Sequence, residues 1–163
     1  MTKPHVIRLR GPWELQPLER CVSLGNGQFR RDDQDLPAGG RGAVPGDWAD
    51  LLGPDFRGTV RYTRHFNCPT NLDVGERVWL VCEGLDHQGI FSLNEQPLFE
   101  QVGSDEPAGF DITDLLQPRN TLFVCVTLLP EGCVAALPRP AARQSQPGGL
   151  TGEVRLEIRP RAV

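Results

Sequence analysis

The sequence has no Cys-x-x-Cys pair, no basic excess, no internal repeat and no apolar run near membrane-span length. Each absence removes a class of protein. Structural zinc sites are built from two closely spaced ligand pairs, so the five cysteines, Cys21, Cys68, Cys82, Cys125 and Cys133, read as free thiols. None sits in the electropositive, partly exposed setting that a catalytic thiolate needs, and Cys82 and Cys125 fall inside apolar runs. With 17 Lys and Arg against 21 Asp and Glu, the formal net charge is -4, so no nucleic-acid or anionic-membrane partner is expected. A membrane span would need roughly 18 consecutive apolar residues. The first residues, Met1 to Arg8, lack the apolar centre of a signal peptide, and a cytoplasmic location is the expectation. Gly-x-Ser-x-Gly does not occur, and the three histidines, His5, His65 and His87, have no recognisable nucleophile beside them.

What is present is a globular balance, with 39% hydrophobic and 23% charged residues in 163. That length fits a single domain over 1–163, large enough to fold without disulfide or metal. The 18 glycines and 15 prolines favour many short elements over long helices. Alternation predicts strands at Val60 to Phe66, Arg77 to Glu83, Gly89 to Leu93, Leu98 to Glu100, Asn120 to Leu129 and Gly152 to Ile158. Leu122, Val124, Val126 and Leu128 share one face, as do Val154, Leu156 and Ile158. Such strands, punctuated by turn residues, predict an all-β antiparallel sandwich. Trp79 alternates with Leu80, so an apolar outer face there would be covered by the N-terminal segment, another subunit or a second protein.

Two single helical turns are expected, one from Asp47 to Leu52 stopped by Gly53-Pro54, the other from Asp111 to Leu116. Two long loops are expected at about 31–47 and 130–149. The first holds Asp32-Asp33-Gln34-Asp35, the densest acidic run; it lacks the ligand spacing of a calcium loop and reads as solvated charge. No metal and no cofactor are expected.

In order and spacing these segments resemble the N-terminal sugar-binding domain of family-2 glycoside hydrolases, the group of β-galactosidase, β-glucuronidase and β-mannosidase. The residues that carry the resemblance are Gly11-Pro12-Trp13-Glu14-Leu15, Val44-Pro45-Gly46-Asp47-Trp48, Gly58 to Phe66, Val78 to Asp86 and Ser92-Leu93-Asn94. Phe110 to Leu116, Asn120 to Val124 and Gly148-Gly149-Leu150 complete the series. The resemblance implies a galactose-binding-like jelly roll. The chain departs from the family pattern at three places: Glu95 follows Asn94 where Asn-Gly is usual, Thr151-Gly152 follows Leu150, and Thr59 replaces an asparagine. A glutamate at position 95 predicts a longer hairpin turn or one of another type.

The family's catalytic glutamates lie on a separate barrel, and a barrel needs about 250 residues, more than this chain has. The expectation is therefore a non-catalytic carbohydrate-binding module. The resemblance implies candidate ligand contacts at Trp48, Asp55, Arg57, Asp86, His87, Gln88, Asn94 and Glu153, an aromatic platform with polar partners on loops. Against this, Trp13, Trp48 and Trp79 suit structural roles equally well, and Tyr62, Phe66 and Phe110 read as core. The alternative expectation is a protein-interaction module, a homodimer or an accessory subunit, that has lost sugar binding.

Overall fold

Eleven strands among the described residues form two antiparallel sheets, and the sequence alternation explains how they meet. The structure, a computed structural model, describes residues 3–104, 106–133 and 146–161; within its strands the side chains of Asp86, His87 and residues 102–104 lie outside that description. The strands are β1 (His5–Arg8), β2 (Trp13–Ser23), β3 (Phe29–Asp32), β4 (Gly40–Gly42), β5 (Gly58–Asn67), β6 (Glu76–Cys82), β7 (Leu85–Leu93), β8 (Gln96–Ser104), β9 (Ala108–Asp111), β10 (Arg119–Leu128) and β11 (Val154–Pro160). One sheet has the order β1-β11-β6-β9; the other runs β3-β2-β5-β10-β7-β8, with β4 on the free part of β2.

The inward residues of both sheets make one core. Val78, Leu80, Val154 and Leu156 from the smaller sheet join Val60, Tyr62, Phe91, Leu93, Leu122 and Val124 from the larger, all at most 1% exposed. Burying alternate residues of each strand forces this face-to-face stacking, the all-β sandwich expected from the sequence. Phe66 and Phe110 are only partly buried and pack against the core's margin. All five cysteines are free; Cys21, Cys82 and Cys133 are buried, whereas Cys125 points to the outer face of β10 and is half-buried. Burial pushes the Cys82 thiol up to about 11, which keeps it unreactive.

Several expectations are corrected. The 31–47 segment is not all loop, because the end of β3 and all of β4 pair with β2. The strand expected from Gly89 starts earlier: β7 begins at Leu85, and a register shift between Leu85 and Gln88 absorbs the irregularity. Much of the expected 130–149 loop, residues 134–145, lies outside the described residues. Both short helical turns form. Asp47 Oδ1 accepts the Ala49 amide at 2.9 Å at the start of α1 (Ala49–Leu52), and Asp111 Oδ1 accepts the Thr113 amide at 3.0 Å before the 3-10 turn Thr113–Leu115.

The β7–β8 hairpin departs most clearly. Its turn has only two residues, Asn94 at φ 50° and Glu95 at φ 69°, with Leu93 paired to Gln96. That is the left-handed two-residue turn for which Asn-Gly is preferred. The Asn94 side chain holds it: Oδ1 accepts the Thr121 amide at 2.9 Å, and Nδ2 donates to Leu115 O at 3.2 Å and Asn120 Oδ1 at 2.9 Å. These bonds impose a positive φ on Glu95, which glycine would adopt without a Cβ penalty. Glu95→Gly is expected to raise stability by roughly 1 kcal/mol, read as a higher denaturation midpoint at unchanged slope.

Candidate functional site

The end of the sandwich where β5 begins gathers the loops that could meet a ligand. Gly58 pairs with Leu128 and Thr127 with Gln88 at this end, whereas Asn67, Arg119 and Leu93 mark the other. A cis Val44–Pro45 bond turns the chain into Gly46 and Asp47. Two backbone bonds then zip this segment to the chain before β11: Gly46 N donates to Leu150 O and Trp48 N to Gly148 O, both at 2.9 Å. Where the two zipped segments meet lies a cleft of about 330 Å³ lined by Pro45, Gly46, Asp47, Gln146, Pro147 and Thr151. Its lining is polar apart from the prolines, and a cleft of this size suits a small ligand rather than a macromolecular groove.

Next to the cleft the packing is apolar. Trp48 is 1% exposed, meets Phe56 edge-on with centroids 5.6 Å apart, and lies directly under Gly148. Its Nε1 is buried without a hydrogen-bond partner among the described residues, and the Tyr62 Oη is buried against the Leu150 backbone. Burial pushes the Tyr62 phenol far above its ordinary value, so it stays neutral.

The structure brings some of the predicted ligand residues together here and scatters the rest. Arg57 sits beside the cleft: Nη1 donates to Phe56 O at 2.9 Å and Pro54 O at 3.2 Å, and Nη2 to Gln146 O at 3.4 Å. Asp55 is exposed on the same loop. Trp48 belongs to this end but presents no face to solvent. Gln88 points to the outer face of the larger sheet and donates to Glu100. Asn94 lies at the opposite end, roughly 24 Å away along β10, its amide bonded to Leu115, Asn120 and Thr121. The Asp86 and His87 side chains lie outside the described residues. Thr59, at the family's asparagine position, bonds to Thr127 Oγ1 at 2.8 Å and Glu19 Oε1 at 3.2 Å. Sequence reasoning assigned Asp47 only a capping role and passed over Gln146 as a contact; what marked the site was the Pro45-Gly46 and Gly148-Gly149 pairs that let two loops approach.

Glu153 belongs to another feature, a charged ladder on the outer face of the smaller sheet. Its Oε2 accepts from Arg8 Nε at 3.0 Å, and its Oε1 lies 3.5 Å from Arg155. Arg155 also reaches Glu83 and, at 2.7 Å, Glu157, which in turn accepts from Arg159 at 2.7 Å. The Arg159 guanidinium stacks 4.6 Å above the Trp79 ring. The Arg159 side chain thus covers part of the outer face of Trp79, which is half-buried.

Glu157 is 8% exposed. Burial pushes its carboxyl up, but donors from Arg159 and Arg155 outweigh that and hold it below the usual carboxylate range. Because its folded value lies below its unfolded one, its contribution is complete above about pH 4.3 and is lost as pH falls through the folded value. Thermal midpoints are expected to fall in that acid window, and Glu157→Gln is expected to flatten the fall while lowering the neutral-pH midpoint.

Comparison with solved structures places this fold. The chain superimposes on a Bifidobacterium dentium β-glucuronidase (complexed with coumarin-3-O-glucuronide) with TM-score 0.70 and 24% identity, covering 98% of this chain and 31% of that one. The fold is that of a β-glucuronidase domain. An FMN-binding β-glucuronidase from Faecalibacterium prausnitzii gives TM-score 0.73 at 22% identity, covering 98% and 23%. A family-2 β-galacturonidase from Eisenbergiella tayi gives 0.63 at 19%, covering 96% and 24%. The chain thus spans about a third or less of the enzymes it matches. No family model and no curated protein matches the sequence. Among the described residues no helix is long and apolar enough to cross a membrane, and no group of His, Cys, Asp or Glu is arranged to hold a metal.

Proposed function

We propose that this chain is a non-catalytic carbohydrate-binding module, with the cleft between Asp47 and Thr151 as its sugar site. The observation that carries this reading is the polar cleft of about 330 Å³ built where two zipped loops meet at one end of the sandwich. A pyranose presents hydroxyls that both donate and accept, and the Asp47 carboxylate, the Thr151 hydroxyl and the Gln146 amide supply complementary groups. Asp55 and Arg57 extend the polar rim. The likeness in fold to β-glucuronidases directs the choice of sugars to try, although fold alone does not fix function.

Titration calorimetry with glucuronides, galactosides and mannosides is the test. Saturable binding to one class is expected, weakened about tenfold by Thr151→Val and by Asp55→Ala, as the loss of one well-placed polar contact entails. Silence across the panel would end the reading. So would hydrolysis of a nitrophenyl glycoside by the pure protein, which would make it an enzyme. A stable dimer that binds no sugar would favour an interaction module instead; Ile90, 49% exposed beside Cys125 on the outer face of β7, marks where such contact would begin.

A further inference from the structure

We infer that a second cleft, at the open edge of the sandwich away from the sugar site, binds a small anion carrying a phosphate or a carboxylate. The cleft, of about 370 Å³, lies between β1 and the last residues of β5 and is lined by Arg8, Arg64 and Arg119. It exists because β2 stops short. β2 begins at Trp13, and its pairing with β5 reaches only Glu14 opposite Thr63, so the β5 edge from Arg64 to Asn67 has no strand beside it.

Arg64 is the anomaly. By alternation it belongs to the inward face with Val60, Tyr62 and Phe66, a place where a charge is normally paired. No carboxylate among the described residues meets it. Its Nε donates to Arg10 O at 3.1 Å and its Nη1 to His65 O. Two carbonyls orient the guanidinium while leaving its charge uncompensated and three of its five N–H donors unspent. The Arg119 guanidinium makes no hydrogen bond or ion pair with a described residue, and Arg8, half-exposed, is balanced by Glu153 at 3.0 Å. The cleft therefore carries about two unbalanced positive charges in a chain whose net charge is -4. Local excess against the overall sign concentrates anions at that spot, and a fixed guanidinium fork fits the paired oxygens of phosphate or carboxylate.

The test is calorimetric titration of the full chain at low salt with inorganic phosphate and, separately, with citrate. At least one is expected to bind with Kd of about 1 mM or tighter, and the stronger of the two identifies the group recognised. Binding is expected to weaken about tenfold in Arg64→Gln and severalfold in Arg119→Gln, to fade at high salt, and to persist in Arg30→Gln on β3. No binding of either anion to the wild-type chain, or equal affinities in Arg64→Gln and Arg30→Gln, would overturn the inference. Should Arg64→Gln fail to fold, Arg119→Glu at an exposed position decides: unchanged affinity there overturns it as well. Because Thr151→Val leaves this edge untouched, sugar binding and anion binding can fail separately.

Discussion

Trp48→Ala is expected to lower the stability of the chain by about 4 kcal/mol, the usual cost of emptying a fully buried tryptophan site. The indole is 1% exposed, meets Phe56 edge-on and lies against Gly148, whose other close neighbour is Leu128 at the end of β10. None of these can collapse easily, because Gly148 is pinned by the Trp48 amide and Leu128 by its pairing with Gly58. Trp48→Phe is expected to cost markedly less. It keeps most of the apolar contact and deletes Nε1, a buried donor with no partner among the described residues, whose loss relieves a desolvation penalty. Urea denaturation of the three proteins gives the ranking. The same pair separates structure from recognition: sugar affinity per folded molecule should be unchanged in Trp48→Phe, since a ring sealed beneath Gly148 cannot stack on a pyranose. A loss of affinity as large as that of Thr151→Val would mean that the ring becomes exposed on binding.

The strands that could be read from the sequence are those whose alternation runs unbroken. Leu122, Val124, Val126 and Leu128 in β10, and Val154 and Leu156 in β11, all enter one core. β2 was hidden although it is the longest strand among the described residues. Trp13 and Leu15 begin an alternation that Pro17 interrupts, and the register shift between Pro17 and Glu19 restarts it in a different phase before Cys21. β4 is Gly-Arg-Gly, which carries no apolar signal, and exists because β2 offers it an edge. The hairpin turn was misjudged because glutamate's reluctance for positive φ was weighed without the Asn94 bonds that enforce it. Of the candidate ligand residues, Trp48, Asp55 and Arg57 lie at the end of the sandwich that holds the cleft, but residue type gave no direction for their side chains. An asparagine that suits a sugar hydroxyl suits a backbone amide equally well, and Asn94 took the amide. Thr151 carries no pattern at all; its place follows from the zipper between residues 46–48 and 148–150, a contact across a hundred residues that no local rule encodes.

Gly149→Ala is expected to cost about 3 kcal/mol, from overpacking and backbone strain together. Gly149 has φ 145°, and a Cβ there would lie 2.8 Å from Gly46 O, 2.9 Å from the Asp47 Cα and 2.9 Å from Tyr62 Oη. Two of those neighbours are backbone held by the Gly46-to-Leu150 bond, and the third is a buried phenol, so none is the free end of a flexible side chain. Gly25→Ala supplies the comparison. Gly25 also has positive φ, 88°, but an added Cβ would meet nothing within 4 Å, so only the backbone preference is charged, about 1 kcal/mol. The difference between the two variants isolates the crowding at the zipper. If the two loops are as firmly joined as their hydrogen bonds imply, Gly149→Ala must either unfold this end or push Asp47 away from Thr151, and sugar affinity falls with it. Equal losses in Gly149→Ala and Gly25→Ala would mean that the loops separate at little cost, and a cleft whose walls part so easily could not hold its polar groups in place for a ligand.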